Sequence, residues 1–245
     1  MQGLRSEIGA SRARLDCAIV MPAYNEQESL GAAIEEWSAV AVRIDGTLVV
    51  VNDGSTDGTL GIMRTAVERH DNLVVLDKDH GGHGQSCLLA YRWAIAKGYA
   101  WIFQTDSDGQ TCGQDFLACW PERERFDFIF GLRKDRGDGP GRVFISRGLQ
   151  LVIRAVFGIW VPDANVPFRL MRARALEPFC RRIPPDLFLA NAYLSTLVAK
   201  ESRSVCWRPI RFGPRKGGVP SVRWARFVRV GLRVAREFHE LRRTP

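Results

Sequence analysis

The chain has 245 residues, 46% apolar and 25% charged. That is enough hydrophobic content for the packed core of one α/β domain with appendages, and it excludes disorder as the default state. The formal charge of +8 is uneven: residues 1–201 hold 23 Lys/Arg against 25 Asp/Glu, whereas residues 202–245 hold 12 against 2, which points to an anionic partner, a membrane surface or a nucleic acid.

In chain order, Cys17–Met21 is an apolar run that ends at Pro22 and reads as a strand. Glu28–Val42 has helical spacing. Thr47–Val51 is β-branched and reads as a buried strand. Asp57–His70 reads as a helix with Thr56 or Asp57 as N-cap. Leu73–Leu76 is a strand, Gln85–Lys97 a helix stopped by Gly98, and Trp101–Thr105 a fourth strand. Residues 132–141 form a Gly/Arg/Asp-rich loop, followed by helices over Arg142–Phe157 and Asp186–Lys200, a strand over Val205–Ile210 and a basic Gly/Pro loop over Arg211–Val222. The alternation of the first half predicts a doubly wound, mostly parallel sheet flanked by helices, with its ligand beyond the carboxyl ends of the strands.

The unusual polar residues fall at those ends. Asp106 and Asp108 follow the fourth strand and flank one residue. Two carboxylates so placed repel unless a cation joins them, and Mg²⁺ or Mn²⁺ takes a few protein oxygens and fills its other positions from phosphate. Gln110 adds a neutral oxygen. Asp53, directly after the second strand, is placed to accept hydrogen bonds from a base or ribose. Gly81-Gly82-His83-Gly84 opens a helix and can offer backbone N–H groups to an anion. The six cysteines form no C-x-x-C pair and read as reduced, mostly buried thiols.

These segments, in order, resemble the family 2 glycosyltransferases, and in particular the branch of dolichyl-phosphate mannose synthases and bacterial polyprenyl-phosphate glycosyltransferases. The matching segments are Val20-Met21-Pro22-Ala23-Tyr24-Asn25-Glu26, Asn52-Asp53-Gly54-Ser55-Thr56-Asp57-Gly58-Thr59, Asp106-Ser107-Asp108-Gly109-Gln110, Gly131-Leu132-Arg133, Arg142 with Ser146, Asp163 to Arg169, and Pro209-Ile210-Arg211-Phe212 followed by Arg215, Gly218 and Ser221. The resemblance covers roughly residues 16–222 and implies a GT-A fold, a divalent metal (Mg²⁺ or Mn²⁺) and inversion at the sugar carbon. It implies that Pro22, Tyr24, Glu26 and Asp53 hold the nucleoside, that Asp106, Asp108 and Gln110 organise the metal, and that Arg133, Arg142, Ser146, Arg169 and Arg215 hold the diphosphate and the acceptor phosphate. The chain departs from the family pattern at Asn52 (commonly Asp), Pro167 (commonly Gly) and Val222 (commonly Lys), where Lys216 or Arg223 is expected to substitute.

The resemblance implies transfer of a hexose-type sugar from a GDP- or UDP-sugar to a polyprenyl phosphate. Two alternatives stand beside it: a family 2 transferase acting on a non-lipid hydroxyl, and a non-catalytic lipid-binding or regulatory domain on a transferase fold. A nucleic-acid partner is disfavoured, because aromatic residues do not interleave with the charges outside the tail. Over Val222–Leu241, Trp224, Phe227, Leu232 and Phe238 share one helical side and Arg223, Arg226, Arg229, Arg233 and Arg236 the other, as in a helix lying on a membrane or on a membrane-embedded partner subunit. The expected organisation is an N-terminal extension (1–15), a catalytic domain (16–221) and a basic amphipathic C-terminal helix (222–245). Residues 1–14 show no apolar signal core, and the longest apolar tract, Leu149 to Val161, is broken by Arg154 and short of the roughly 20 residues of a spanning helix. The expected location is therefore cytoplasmic, peripheral to a membrane.

Overall fold

The computed structural model describes residues 3–9, 16–133, 140–201, 204–214 and 236–240, with the backbone alone over 140–145. One eight-stranded sheet organises them. Its strands are β1 (Leu4–Ile8), β2 (Cys17–Ala23), β3 (Thr47–Asp53), β4 (Leu73–Lys78), β5 (Trp101–Gln104), β6 (Phe128–Arg133), β7 (Arg169–Arg172) and β8 (Val205–Ile210), in the order β1-β4-β3-β2-β5-β7-β6-β8. The β4–β3–β2–β5 block is parallel, β6 pairs with β8 in parallel, and β7 lies antiparallel between β5 and β6. Six strands thus point one way, and β1 and β7 oppose them.

The central strands are near-continuous apolar runs, with polar residues chiefly at their carboxyl ends, because both faces are covered. Every residue of β2, β3 and β4 is buried. The covering helices are α1 (Leu30–Arg43), α2 (Thr59–Arg69), α3 (His83–Lys97), α4 (Gly113–Cys119), α5 (Pro140–Phe157), α6 (Ala173–Arg182) and α7 (Ala190–Lys200), with a 3₁₀ turn at Trp120–Arg125. Phe103 of β5 meets Trp37 of α1, Phe116 of α4 and Phe168 before β7, with ring centroids 5.4, 4.3 and 4.8 Å away. α1 and α4 thereby lock onto β5 in the middle of the sheet.

The sequence-predicted elements of the first half are all present, with strands two residues longer at β2, β3 and β4. The N-cap is Gly58 rather than the expected Thr56 or Asp57, although Asp57 Oδ1 accepts the Thr59 N–H at 3.0 Å. Several elements were not anticipated. Leu4–Ile8, within the expected N-terminal extension, pairs with β4 as an edge strand. β6, β7, α4 and α6 fill stretches without a clear period. The second late helix begins at Ala190 rather than Asp186, because Pro184 and Pro185 precede a turn closed by Leu187 N–H to Pro184 O, 3.3 Å. Within the expected 132–141 loop, Leu132 and Arg133 belong to β6 and Pro140 starts α5, a first-turn position that suits proline. The thiols are free, with Cys17, Cys87, Cys119 and Cys180 buried and Cys112 and Cys206 partly so. Burial pushes Cys119 up to about 11 and Cys180 up to about 12.

Among the described residues no helix is long and apolar enough to cross a membrane. Most of the expected C-terminal helix lies outside the described residues. Its 236–240 stretch is helical, and Phe238 is fully buried against Phe157 of α5 and Tyr193 of α7, with centroids 5.8 and 5.4 Å away.

Candidate active site

The six like-directed strands all end on one rim. β2 delivers Tyr24 to Glu26, β3 Asp53, β4 Lys78 to His80, β5 Asp106 to Gln110, β6 Arg133 and β8 Arg211 to Gly213. β7 runs the other way, so Asp163 to Phe168, which precede it, reach the same rim. The strand order reverses between β2 and β5, the place where open α/β sheets bind ligands. Ser107 Oγ crosses this seam to donate to Pro22 O at 3.1 Å.

On the β2–β3 side, Tyr24 is 42% exposed and its ring lies 4.2 Å from that of His80, tilted by 33°. The two neighbouring loops are stitched together. Asn25 N–H donates to Ser55 Oγ (3.1 Å), Thr56 N–H to Asn25 Oδ1 (2.8 Å), and Glu26 N–H to Thr59 Oγ1 (2.9 Å). Glu26 is buried, and its carboxylate accepts Ser29 Oγ–H at 2.9 Å at the start of α1. Pro22 is buried within β2. Of the four residues expected to hold a nucleoside, Tyr24 alone presents an exposed side chain to the rim.

Asp53 departs from its expected role. Its carboxylate is buried and bonded to Lys78 Nζ, to Gly81 N–H (3.0 Å) and to Gly82 N–H (2.8 Å), with His80 Nδ1 3.0 Å from Oδ2. Burial alone would raise its pKa, but the Lys78 hydrogen bond and charge and the two glycine amides outweigh it and hold the carboxyl below the ordinary range. The anion that Gly81 and Gly82 bind here is therefore Asp53 itself. Gly54 has φ 67°, and a Cβ there would meet His80 N at 2.6 Å, so the turn that brings His80 beside Tyr24 needs glycine. The Asn at 52 is also explained. Its Nδ2–H donates to Asp77 Oδ1 at 2.6 Å, where a carboxylate would face another carboxylate.

At the end of β5, Asp106 is 26% exposed and Asp108 is buried. Asp106 Oδ1 takes His83 Nε2 at 3.0 Å and Gln104 Nε2 at 3.4 Å, while Oδ2 takes no bond among the described residues. Asp108 Oδ1 accepts Gln110 N–H at 3.1 Å, and Gln110 Nε2 donates to Gly213 O at 2.8 Å, which pins the loop to the segment after β8. Surrounding protein opposes charge on His83, but Cys87 and Asp106 outweigh it and raise its pKa well above the ordinary value. Among the described residues no three His, Cys, Asp or Glu side chains gather to cage an ion. Two carboxylates and an amide oxygen nonetheless fit a hard divalent ion that keeps positions for phosphate and water.

The arginines divide. Arg133 Nε and Nη2 each donate to Asp163 at 2.7 Å, and the pair is largely buried. Two of its five N–H groups are thus committed within the protein. Leu132, Arg133, Ser146, Arg147, Gln150 and Asp163 line part of a cavity of about 170 Å³. Arg169 is 0% exposed and donates to Val166 O (2.8 Å), Ala164 O (2.7 Å) and Ser195 Oγ (2.9 Å). It holds the 163–168 loop in place and does not reach the rim, contrary to the expected phosphate contact. The Arg142 side chain, Arg215 and Lys216 lie outside what is described.

The chain is 25% identical over 210 residues to an undecaprenyl-phosphate mannosyltransferase of Micrococcus luteus, covering 81% of this chain and 84% of that one. It is 29% identical over 168 residues to a dodecaprenyl-phosphate galacturonate synthase of Rhizobium johnstonii, covering 66% and 49%, so it spans about half the length of that relative. The structure superposes on glucosyl-3-phosphoglycerate synthase of Mycobacterium tuberculosis in complex with Mn²⁺, uridine-diphosphate and phosphoglyceric acid, with TM-score 0.68, 14% identity, and coverage of 94% of this chain and 79% of that one. The expected GT-A fold is thereby shown. The family model described as glycosyl transferase family 2 matches residues 18–179, and the chain belongs to that family.

Proposed function

We propose that the protein transfers a hexose-type sugar, with inversion, from a UDP- or GDP-sugar to a polyprenyl phosphate. The observation that carries this reading is the placement of Asp106, with Oδ2 uncommitted among the described residues, between the exposed Tyr24–His80 pair on one side and the cavity lined by Ser146 and Arg147 on the other. The relatives whose names specify polyprenyl-phosphate products support the choice of acceptor.

In this reading Tyr24 and His80 flank the base. The bond from the sugar carbon to the donor diphosphate breaks as one forms to an acceptor phosphate oxygen, and the nucleoside diphosphate leaves. A phosphate monoester has a second pKa of about 6 and is largely dianionic at neutral pH, so it needs no strong base. Asp106, Asp108 and Gln110 would hold Mg²⁺ or Mn²⁺, which when bound neutralises the leaving diphosphate. Arg147 and the uncommitted N–H groups of Arg133 face the acceptor phosphate from the cavity, with Arg142, Arg215 and Lys216 as further expected contacts. The work of the chain is positioning and charge screening.

We also propose a place at the cytoplasmic face of a membrane. The described solvent face of α5 carries Arg147, Leu151 and Arg154, Trp160 follows it, and the helix contains no acidic residue. This basic and apolar face adds to the expected tail.

The test is a panel of UDP- and GDP-sugars with Mg²⁺ or Mn²⁺ and a short polyprenyl phosphate, read by mass spectrometry. One donor should give the sugar–phosphate–lipid product, and Asp108→Asn should lower the rate by about 100-fold or more with an unchanged circular dichroism spectrum. Transfer to a hydroxyl acceptor in place of the lipid phosphate would reject the acceptor assignment.

A further inference from the structure

Behind Asp106 lies a closed hydrogen-bonded ring built from β5, α3 and α7. Gln104 Nε2 donates to Asp106 Oδ1 at 3.4 Å, and its Oε1 accepts Asn191 Nδ2–H at 3.0 Å. The same Asn191 amide lies 3.6 Å from Cys87 Sγ, Cys87 Sγ lies 3.7 Å from His83 Nδ1, and His83 Nε2 returns to Asp106 Oδ1 at 3.0 Å. Tyr91 OH braces the ring from within, 2.8 Å from Gln104 Oε1 and 2.9 Å from Asn191 Oδ1. Gln104, Cys87, Tyr91 and Asn191 are buried, whereas the His83 imidazole is 49% exposed.

Four polar side chains buried together carry a desolvation cost that an apolar core would avoid, and such a network stands only when its members satisfy one another. In this ring each side chain has at least one partner, the single Tyr91 O–H being shared between two amide oxygens, and the ring meets the rim at Asp106 Oδ1. The carboxylate selects the His83 form with a proton on Nε2. Nδ1 then meets Cys87 as acceptor of its S–H, or as a donor when the ring is charged, so either state keeps the contact. Two donors on Oδ1 fix the carboxylate plane and turn Oδ2 away from the ring.

We propose that His83 and Gln104, held by Asn191 and Cys87, are positioning residues that aim Asp106 Oδ2 at a divalent cation bound with the donor diphosphate. This rests on the metal-dependent reading of the rim and extends it to residues outside the acidic motif. Partners behind a metal ligand set its orientation, and losing one typically weakens metal binding by about 10- to 100-fold. His83→Gln retains an N–H donor at a similar reach, whereas His83→Leu does not. Gln104→Met removes both ends of the amide with little change in volume.

The experiment titrates Mn²⁺ into the full chain by electron paramagnetic resonance, with UDP and in parallel GDP present, and records melting temperatures alongside. Dissociation constants for Mn²⁺ should rise about tenfold or more in His83→Leu and Gln104→Met and stay within about threefold of wild type in His83→Gln. Transfer by His83→Leu should recover at excess Mn²⁺. Unchanged Mn²⁺ affinity in His83→Leu overturns the proposal, and because that side chain is half exposed the variant decides the matter even if Gln104→Met fails to fold. Wild-type protein that binds no Mn²⁺ with either nucleotide would remove the metal reading itself, and this inference with it. A loss confined to His83→Leu, with normal binding in a folded Gln104→Met, would reject the ring and leave His83 as a direct contact.

Discussion

Asp53 shows what a single buried charge does here. Its carboxyl is held below its ordinary 3.8 by the Lys78 hydrogen bond and charge and by the Gly81 and Gly82 amides, against the opposing effect of burial. A carboxyl lowered in this way adds stability above its unfolded pKa and gives it up as pH falls through the folded value. Asp53→Asn leaves Lys78 buried without its partner, which should cost about 3–5 kcal/mol in urea melts at pH 7. The gap between wild type and Asp53→Asn should then narrow as pH drops below 3.8, and a gap independent of pH would show that the carboxylate charge is not what Lys78 and the glycines hold. The sequence marked Asp53 as important from its place after a β-branched run, but not its partners, which lie 25 to 29 residues away. Arg169 was misjudged for a related reason. The family resemblance put Arg169 on a phosphate, and only the fold, which closes Ala164, Val166 and Ser195 around it, buries it away from the rim.

At the level of elements, legibility followed hydrophobic period. Thr47–Val51 and Leu73–Leu76 announce buried parallel strands, and Gly98, with φ 86°, ends α3 where expected. β7 escaped notice because it has only four residues, and β6 because it runs on into Gly131, Leu132 and Arg133, which read as the start of a loop. The start of α3 belongs to this scale as well. A Cβ at Gly84 would lie 2.8 Å from both Leu187 O and Phe188 O, so the helix carrying His83 packs directly on the turn before α7. Gly84→Ala should push these elements apart, lower the melting temperature by several degrees for a cost of about 1–3 kcal/mol, and weaken nucleotide-dependent Mn²⁺ binding as His83 shifts. A normal melt would show that the turn yields freely. Phe103→Ala, at the centre of the aromatic cluster of α1, α4 and β5, should cost about 3–5 kcal/mol by denaturant titration.

For the molecule as a whole, the proposed membrane contact rests on two surfaces, the basic tail and the solvent face of α5. Phe238, expected on the lipid side of the tail, is instead packed on α5 and α7, which shifts weight toward α5. Sedimentation with vesicles rich in anionic lipid should be reduced both for residues 1–221 alone and for full-length Leu151→Asp/Trp160→Ala. Binding unaffected by either change would exclude both surfaces. The path of the chain has one more consequence. Because β7 runs against its neighbours, the chain leaves the sheet at Arg133 and is back beside it at Asp163, and those two residues are clasped by paired hydrogen bonds of 2.7 Å. The excursion is a lobe drawn shut at its neck like a purse, and its described part packs on α7 through Phe157 against Tyr193, with ring centroids 6.1 Å apart. A chimera that takes this whole lobe from a relative should keep the register of every strand and the donor half intact, and change only which lipid is glycosylated.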